Sequence, residues 1–185
     1  MTDSAANLPQ RLIHRDEYEL LGANGAFEDE DVELLDGRIV YAAEEGPAHA
    51  AVCARLNRLL VEAIPGPVGE VRVGNPYALS DLSMPEPDFL VTEPRYSTRT
   101  AHPSTASLVI EVARSSRATD LGLKAALYAA AGVPDYWVVD LVRDLVVVHR
   151  DPDAMTFRTI TSHDRQVPAP LHHPGVAVDL LDLLR

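Results

Sequence analysis

Apolar and polar residues follow two different periods along this chain, and the periods separate predicted strands from predicted helices. The segment VELLDGRIVYA, 32–42, has two short apolar runs around Asp36-Gly37, a dipeptide that favours a tight turn, and it predicts a β-hairpin. In 47–64 apolar residues recur every three or four positions, which predicts an amphipathic helix that begins at a proline. A short helix is also predicted near 15–21.

The rest of the chain predicts more strands and one further helix. Short strands are predicted at 69–73, 77–80, 88–91 and 155–161. The run SLVIEVA predicts a buried strand, and the helix that follows can be capped by Ser116 or Thr119 and ends at Gly132. DYWVVDL and DLVVVHR predict a hairpin, and the tail ends in a short strand or helical turn. This order predicts a mixed α/β (α+β) fold with a central sheet, and not a regular βαβ alternation.

Length and composition limit the class of protein. With 185 residues and 46% hydrophobic content, we expect one domain over 13–185, preceded by a disordered segment at 1–12. The longest apolar runs are too short to span a bilayer, and the first residues lack the apolar core of a signal peptide, so we expect a cytoplasmic protein. The single cysteine, Cys53, excludes an internal disulfide and a cysteine-rich zinc site.

The net charge of -12 argues against a protein that coats nucleic acid by bulk electrostatic attraction. Positive charge is nevertheless concentrated between positions 94 and 124. The cations of this window are Arg95, Arg99, Arg114, Arg117 and Lys124. A chance cluster on a solvated loop would give the same pattern, so the window is compatible with local phosphate contacts and does not require them.

Two acidic residues stand at unusual places in predicted strands. Glu111 lies within the apolar run 108–112, and an ionised carboxylate buried there needs a cation or a metal ion. Asp88 follows Pro87, which cannot donate to a sheet and therefore marks the start of a strand. If the two strands are neighbours, the carboxylates converge and suit a hard cation such as Mg²⁺. The alternative for Glu111 is a place on an edge strand, where its side chain faces water. The alternative for Asp88 is an ordinary turn aspartate before a strand.

Lys124 is the only lysine in a chain that otherwise uses arginine. Helical spacing places it on one stripe with Asp120 and Tyr128. An exposed ion pair between Asp120 and Lys124 would explain this spacing and would stabilise the helix by about 0.2–0.5 kcal/mol. Arginine would serve equally well in such a pair.

Histidines offer weaker signals. His172 and His173 are adjacent in an extended segment, where neighbouring side chains point to opposite sides, and we expect them on the surface. His49 begins a helical stripe that continues through Cys53 and Leu56; the simplest interpretation is a structural histidine at a helix start, and a role in a site is the alternative.

A proline-aspartate pair, an acidic strand residue and a lysine together resemble the PD-(D/E)xK nuclease superfamily. The usual lysine position, two residues after the acid, is Ala113 here, and the lysine has moved to the next helix. In this the chain resembles the Uma-two family of restriction endonucleases, over about Glu33 to the C-terminus. The resembling pieces are VELLDGRIV, GPAH, PEPDFLV, SLVIEVARSS, DLGLKAALYAAAGVPDYWVVD and HHPGVAVDLLDL.

The resemblance implies a restriction-endonuclease-like fold, in which helices flank a central mixed sheet, and metal-dependent hydrolysis of phosphodiester bonds in nucleic acid, DNA above all. It implies that Asp88 and Glu111 bind Mg²⁺ or Mn²⁺, that Lys124 is the relocated catalytic lysine and that Glu33 lies near the site. For Glu33 an ordinary polar residue on a hairpin is an equal alternative. A two-fold dimer would suit cleavage of both strands of a duplex.

Two other functions remain open at this stage. The chain could be a catalytically silent module that keeps the nuclease fold for binding or regulation, or a hydrolase of a small nucleotide. The serine-proline pair that usually follows the acidic strand in the family is replaced here by Arg114, Ser115 and Ser116, so the resemblance does not extend to the shape of this loop or to the substrate preference.

Overall fold

A computed structural model of the protein describes residues 10–94 and 101–185. The strands are β1 Val32–Leu35, β2 Arg38–Tyr41, β3 Glu70–Val73, β4 Phe89–Thr92, β5 Leu108–Ala113, β6 Asp135–Asp140, β7 Leu145–Asp153, β8 Thr156–His163, β9 Gln166–Val167 and β10 Val178–Asp179. The helices are α1 Arg15–Ala23, α2 Pro47–Ala63, α3 Arg117–Thr119, α4 Ala125–Ala130 and α5 Leu180–Leu184, with a π-helical segment Asp120–Lys124 between α3 and α4. The predicted mixed α+β class is confirmed.

Six strands form the central sheet in the order β3-β4-β5-β6-β7-β8. Its neighbours pair antiparallel except β5 and β6, which are parallel and are connected through α3, the π-helical segment and α4. A parallel connection needs such a crossover, since a tight turn cannot return the chain to the same end of the sheet. The helix that carries Lys124 is therefore fixed next to the strand that carries Glu111.

Helices cover both faces of the sheet. On one face, Val52 and Leu56 of α2 share a core with Ile110 of β5, and α5 joins them. On the other face, Tyr128 of α4 shares a core with Val109. Because side chains alternate along a strand, Glu111 faces the α4 side, opposite to its neighbour Ile110.

The tight turn in 32–42 is confirmed: Asp36 and Gly37 both have positive φ, 50° and 72°, and β1 pairs antiparallel with β2. The predicted strand at 77–80 is wrong. The Tyr77 and Ala78 amides donate to the carbonyls of Pro85 and Pro103, so the backbone hydrogen bonds of these two residues are made with loops and not with a neighbouring strand.

Among the described residues, no helix is long and apolar enough to cross a bilayer.

Candidate active site

Asp88 and Glu111 meet at the junction of β4 and β5, and these strands are hydrogen-bonded neighbours, the condition under which the sequence analysis expected the two carboxylates to converge. Extending the register Phe89–Ile110 by one residue sets Asp88 opposite Glu111. The Asp88 amide donates to Glu111 Oε2 at 3.4 Å, and the Val112 amide donates to Asp88 Oδ2 at 2.6 Å. Both residues line one cleft at this end of the sheet.

Glu111 is buried, and its carboxylate is held on the α4 side of the sheet. Its Oε1 accepts from Tyr128 Oη at 2.9 Å and from Lys124 Nζ at 3.2 Å. Burial raises the pKa of Glu111 to about 8; the Lys124 ammonium opposes the rise and neighbouring carboxylates add to it. The alternative of an edge strand facing water is wrong, because β5 lies between β4 and β6.

Lys124 is buried among carboxylates. Its Nζ lies 3.0 Å from Glu33 Oε1, 3.2 Å from Glu111 Oε1 and 3.9 Å from Asp120 Oδ1. Burial of the ammonium lowers its pKa, but the carboxylates of Glu111, Glu33 and Asp120 outweigh that effect and raise the pKa above its usual value. The lysine thus stays charged at neutral pH. The alternative of an exposed Asp120–Lys124 pair is wrong, since the two side chains are 2% and 8% exposed.

Glu33 reaches the same cluster from the β1–β2 hairpin. It is buried, and its Oε1 accepts from the Glu86 amide at 2.7 Å as well as from Lys124. The alternative of an ordinary polar residue on a hairpin surface is therefore wrong. The hairpin lines one part of the cleft through Glu33, Ala42 and Ala43, and Glu33 shares the ammonium with Glu111.

The π-helical segment aims two charged side chains at the cleft. Asp120 and Lys124 are its first and last residues, and both are buried. The Tyr136 hydroxyl donates to the Asp120 carbonyl at 2.9 Å, which ties the segment to β6. Single π-helical turns inside helices often occur at functional sites. Sequence spacing placed Asp120, Lys124 and Tyr128 on one stripe but gave no sign of the π-helical turn.

The cleft has more negative than positive groups. The positive groups that line it are the Lys124 ammonium and the Arg114 guanidinium, and the carboxylates are those of Glu33, Glu44, Glu45, Glu86, Asp88, Glu111 and Asp120. Asp120 Oδ1 is buried without a hydrogen-bond partner among residues 10–94 and 101–185. The cleft encloses about 70 Å³, room for an ion with a few waters. Carboxylate oxygens with an excess of negative charge fit a hard divalent cation such as Mg²⁺ or Mn²⁺.

Two side chains of α2 reach Asp88; the sequence favoured a structural role for His49 over a site role and did not indicate Cys53 as a site residue. His49 Nε2 lies 2.9 Å from Asp88 Oδ1, and Cys53 Sγ lies 3.8 Å from the same oxygen. The hydrogen bond to Asp88 raises the pKa of His49, and burial opposes the rise. The helical stripe from His49 through Cys53 was the available signal, but it did not indicate which strand the stripe would face.

The arginines proposed from the charged window have different positions. Arg114 is exposed and lines the cleft. Arg117 Nε donates to the buried Asp140 carboxylate at 2.6 Å, so this part of the guanidinium has a structural partner. Arg95 and Arg99 lie outside the described residues.

The histidine pair of the tail also differs from the expectation. His172 is exposed, but His173 is buried, with its Nε2 2.8 Å from Ser107 Oγ. Burial, helped by His172, lowers the pKa of His173. The expected surface position is therefore wrong for His173, which connects the tail to the start of β5.

Comparisons with known proteins give a family match and a similar fold. The model of the Uma2 family, described as "Putative restriction endonuclease", matches residues 15–181. The fold is similar to the crystal structure of a protein from Anabaena variabilis ATCC 29413, titled a "putative nuclease belonging to DUF820". The TM-score is 0.74 at 18% identity, and the match covers 93% of this chain and 97% of that chain. No curated protein matches the chain.

Proposed function

The chain belongs to the Uma2 family, and we propose that it is a nuclease that uses Mg²⁺ or Mn²⁺, held by Asp88 and Glu111, to hydrolyse phosphodiester bonds in DNA. One observation carries the proposal: an acidic pair on neighbouring strands and a buried lysine line the same cleft. Without this cluster the family match would leave the active residues undefined. The cluster supplies the carboxylate oxygens and the cation that such a reaction needs.

Asp88 and Glu111 would hold the ion with their free lone pairs, since each carboxylate already has protein donors that orient it. Asp88 is fixed by the Val112 amide and by His49. Glu111 is fixed by Tyr128 and Lys124. When bound, a divalent ion polarises a phosphoryl oxygen and lowers the pKa of a coordinated water. The prior orientation of both carboxylates reduces the reorganisation needed on binding.

Lys124 would act through its charge. Its raised pKa keeps the ammonium protonated at neutral pH, which suits stabilisation of negative charge on the phosphate and excludes a role as a general base. Glu33 shares the ammonium with Glu111 and thereby sets its position. Glu33 is therefore a positioning residue in this proposal.

The substrate is proposed to be DNA, bound through phosphate contacts from the arginines near the cleft. Arg114 lines the cleft and would be the first of these contacts. The remaining candidates are Arg95, Arg99 and Arg117. We further propose a two-fold dimer in the cytoplasm, because two symmetric sites suit the cleavage of a duplex. A monomer mass by light scattering at micromolar concentration would contradict the dimer.

A substrate panel tests the function. Purified protein is incubated with Mn²⁺ or Mg²⁺ and with supercoiled plasmid, single-stranded DNA, RNA or mononucleotides, and with chelator as the control. We expect nicked and linear plasmid only when metal is present. Release of phosphate or nucleoside from mononucleotides alone would favour the small-nucleotide hydrolase. Nucleic-acid binding without any cleavage would favour the silent module.

Tyr128 provides a prediction about positioning. Replacing it with phenylalanine keeps the ring in the core but removes the hydroxyl that donates to Glu111 Oε1. We expect the Mn²⁺ concentration needed for half-maximal cleavage to rise about 10-fold, as for other groups that orient a metal ligand. Stability should fall by only about 1 kcal/mol. Cleavage rates across a Mn²⁺ titration check this, with the exposed Tyr41→Phe as control; an unchanged metal dependence would count against the role.

A further inference from the structure

A second set of metal-binding atoms lies beside the carboxylate pair. The set consists of His49 and Cys53 on α2 and of Asp88 in front of β4, and within the described residues one donor atom from each lies within 4.8 Å of the others. His49 and Cys53 are four residues apart on one helix face, so the backbone holds both towards Asp88. Neither residue has a part in the nuclease chemistry proposed above, apart from the hydrogen bond that His49 makes to Asp88.

The spacing of these atoms suits one tetrahedral ion. His49 Nε2 lies 2.9 Å from Asp88 Oδ1, and Cys53 Sγ lies 3.8 Å from that oxygen and 3.7 Å from Nε2. Zinc bonds of about 2.0–2.3 Å at tetrahedral angles separate such ligand atoms by about 3.3–3.6 Å. Cys53 Sγ is no closer to Nε2 than to Nδ1, from which it lies 3.6 Å, so rotation of the Cys53 or His49 side chain would be needed to bring all three donor atoms onto one ion.

The other nitrogen of His49 has the partner that metal-binding histidines usually have. Nδ1 lies 3.4 Å from Glu45 Oε2, four residues earlier. A carboxylate on the far nitrogen fixes the tautomer and leaves Nε2 for the metal. Glu45, His49 and Asp88 also line the cleft, which leaves a fourth coordination position open to solvent or substrate.

The donor set differs in chemical class from the carboxylate pair. Thiolate and imidazole favour zinc and similar transition ions, whereas carboxylates alone favour magnesium and manganese. Burial, together with the Asp88 and Glu45 carboxylates, raises the pKa of the Cys53 thiol, so the metal-free thiol keeps its proton. An ion that binds sulfur must release this proton to solvent.

We propose that His49, Cys53 and Asp88 form a binding site for a transition-metal ion of the zinc class, distinct from the Mg²⁺/Mn²⁺ pair and sharing Asp88 with it. Because one carboxylate would serve both ions, zinc at this site draws Asp88 away from the pair. Zinc is therefore an inhibitor of the nuclease reaction, in competition with Mn²⁺. Zinc binding at this site does not depend on the nuclease activity. The inhibition by zinc rests on the proposed nuclease function.

Cobalt absorption tests the binding part directly. Metal-free protein is titrated with Co²⁺, and we expect one equivalent to give the intense near-ultraviolet band of a thiolate-cobalt bond, which Zn²⁺ then removes. Cys53→Ser should lose the band, and His49→Gln should weaken binding at least about 10-fold. His172→Gln, an exposed histidine, is the matched control and should behave as wild type. Glu111→Gln should keep the band, which separates this site from the proposed catalytic pair.

Thiol labelling provides a second measurement that needs no variant. Cys53 is the single cysteine, so reaction with a maleimide reports on this residue alone. Zn²⁺ should slow the labelling of wild-type protein at least about 10-fold, and Mg²⁺ should not. Cobalt that binds without a thiolate band, or labelling that Zn²⁺ leaves unchanged, would overturn the site. A nuclease that Zn²⁺ fails to inhibit, although the band forms, would overturn only the competition for Asp88.

Discussion

Replacing Glu111 with glutamine is expected to lower metal-dependent cleavage at least about 100-fold, an effect of the size seen when a preorganised charge-stabilising group is removed from an active site. Glutamine has the same shape but lacks the charge that a divalent ion needs. Stability in the metal-free protein should change little. Burial raises the pKa of Glu111 to about 8, so the glutamine resembles a protonated form that the metal-free cluster already favours near neutral pH.

The comparison requires initial rates in Mn²⁺ and urea unfolding of both proteins. Glu62→Gln, an exposed change of the same kind on α2, is the control for preparation and assay. Mn²⁺ should raise the melting temperature of wild type and of the control, and should leave that of Glu111→Gln unchanged. Cleavage by Glu111→Gln within a factor of about three of wild type would contradict the role of this carboxylate.

Lys124 is the second position where a large effect is expected. Lys124→Met removes the ammonium and should lower cleavage at least about 100-fold. It should also destabilise the fold by about 3–5 kcal/mol, because it leaves the Glu33 carboxylate buried without its cation. Burial of the lysine therefore makes this variant unsuitable as a catalytic test by itself.

Lys124→Arg separates the two effects. Arginine keeps the charge and should recover most of the stability, but its planar fork cannot replace a compact ammonium in an enclosed cleft, so cleavage should stay at least about 10-fold below wild type. Urea unfolding and Mn²⁺-dependent cleavage of the three proteins are compared side by side. Full cleavage by Lys124→Arg would mean that any buried cation suffices and that the lysine has no specific catalytic part.

Local signals predicted much of the fold and the core of the cluster. A dipeptide that favours positive φ predicted the first hairpin, and a proline before Asp88 predicted the start of β4. The apolar run around Glu111 predicted a buried strand, and burial made a partner for its carboxylate necessary. The pairing of β4 with β5 was an assumption at that stage, since strand order depends on contacts far apart in sequence.

The missed features are those that depend on long-range packing. His173 was expected on the surface together with His172, because neighbouring side chains of an extended segment point to opposite sides, yet the tail packs against Ser107 and buries His173. His49 and Cys53 were assigned to a structural stripe, since helical periodicity shows which residues share a face but not what that face meets. The ion pair between Arg117 and Asp140 of β6 was also not visible in the sequence. Local patterns contain no information on such partners.

Crystals soaked with Mn²⁺, measured at a wavelength where manganese scatters anomalously, test the central claim most directly. We expect an anomalous peak in contact with the carboxylates of both Asp88 and Glu111, and no peak in crystals of Glu111→Gln treated in the same way. The same crystals soaked with Mg²⁺ should show an oxygen-coordinated ion at that position. A manganese peak away from Glu111, or the same peak in Glu111→Gln, would contradict the carboxylate pair as the metal site of this protein.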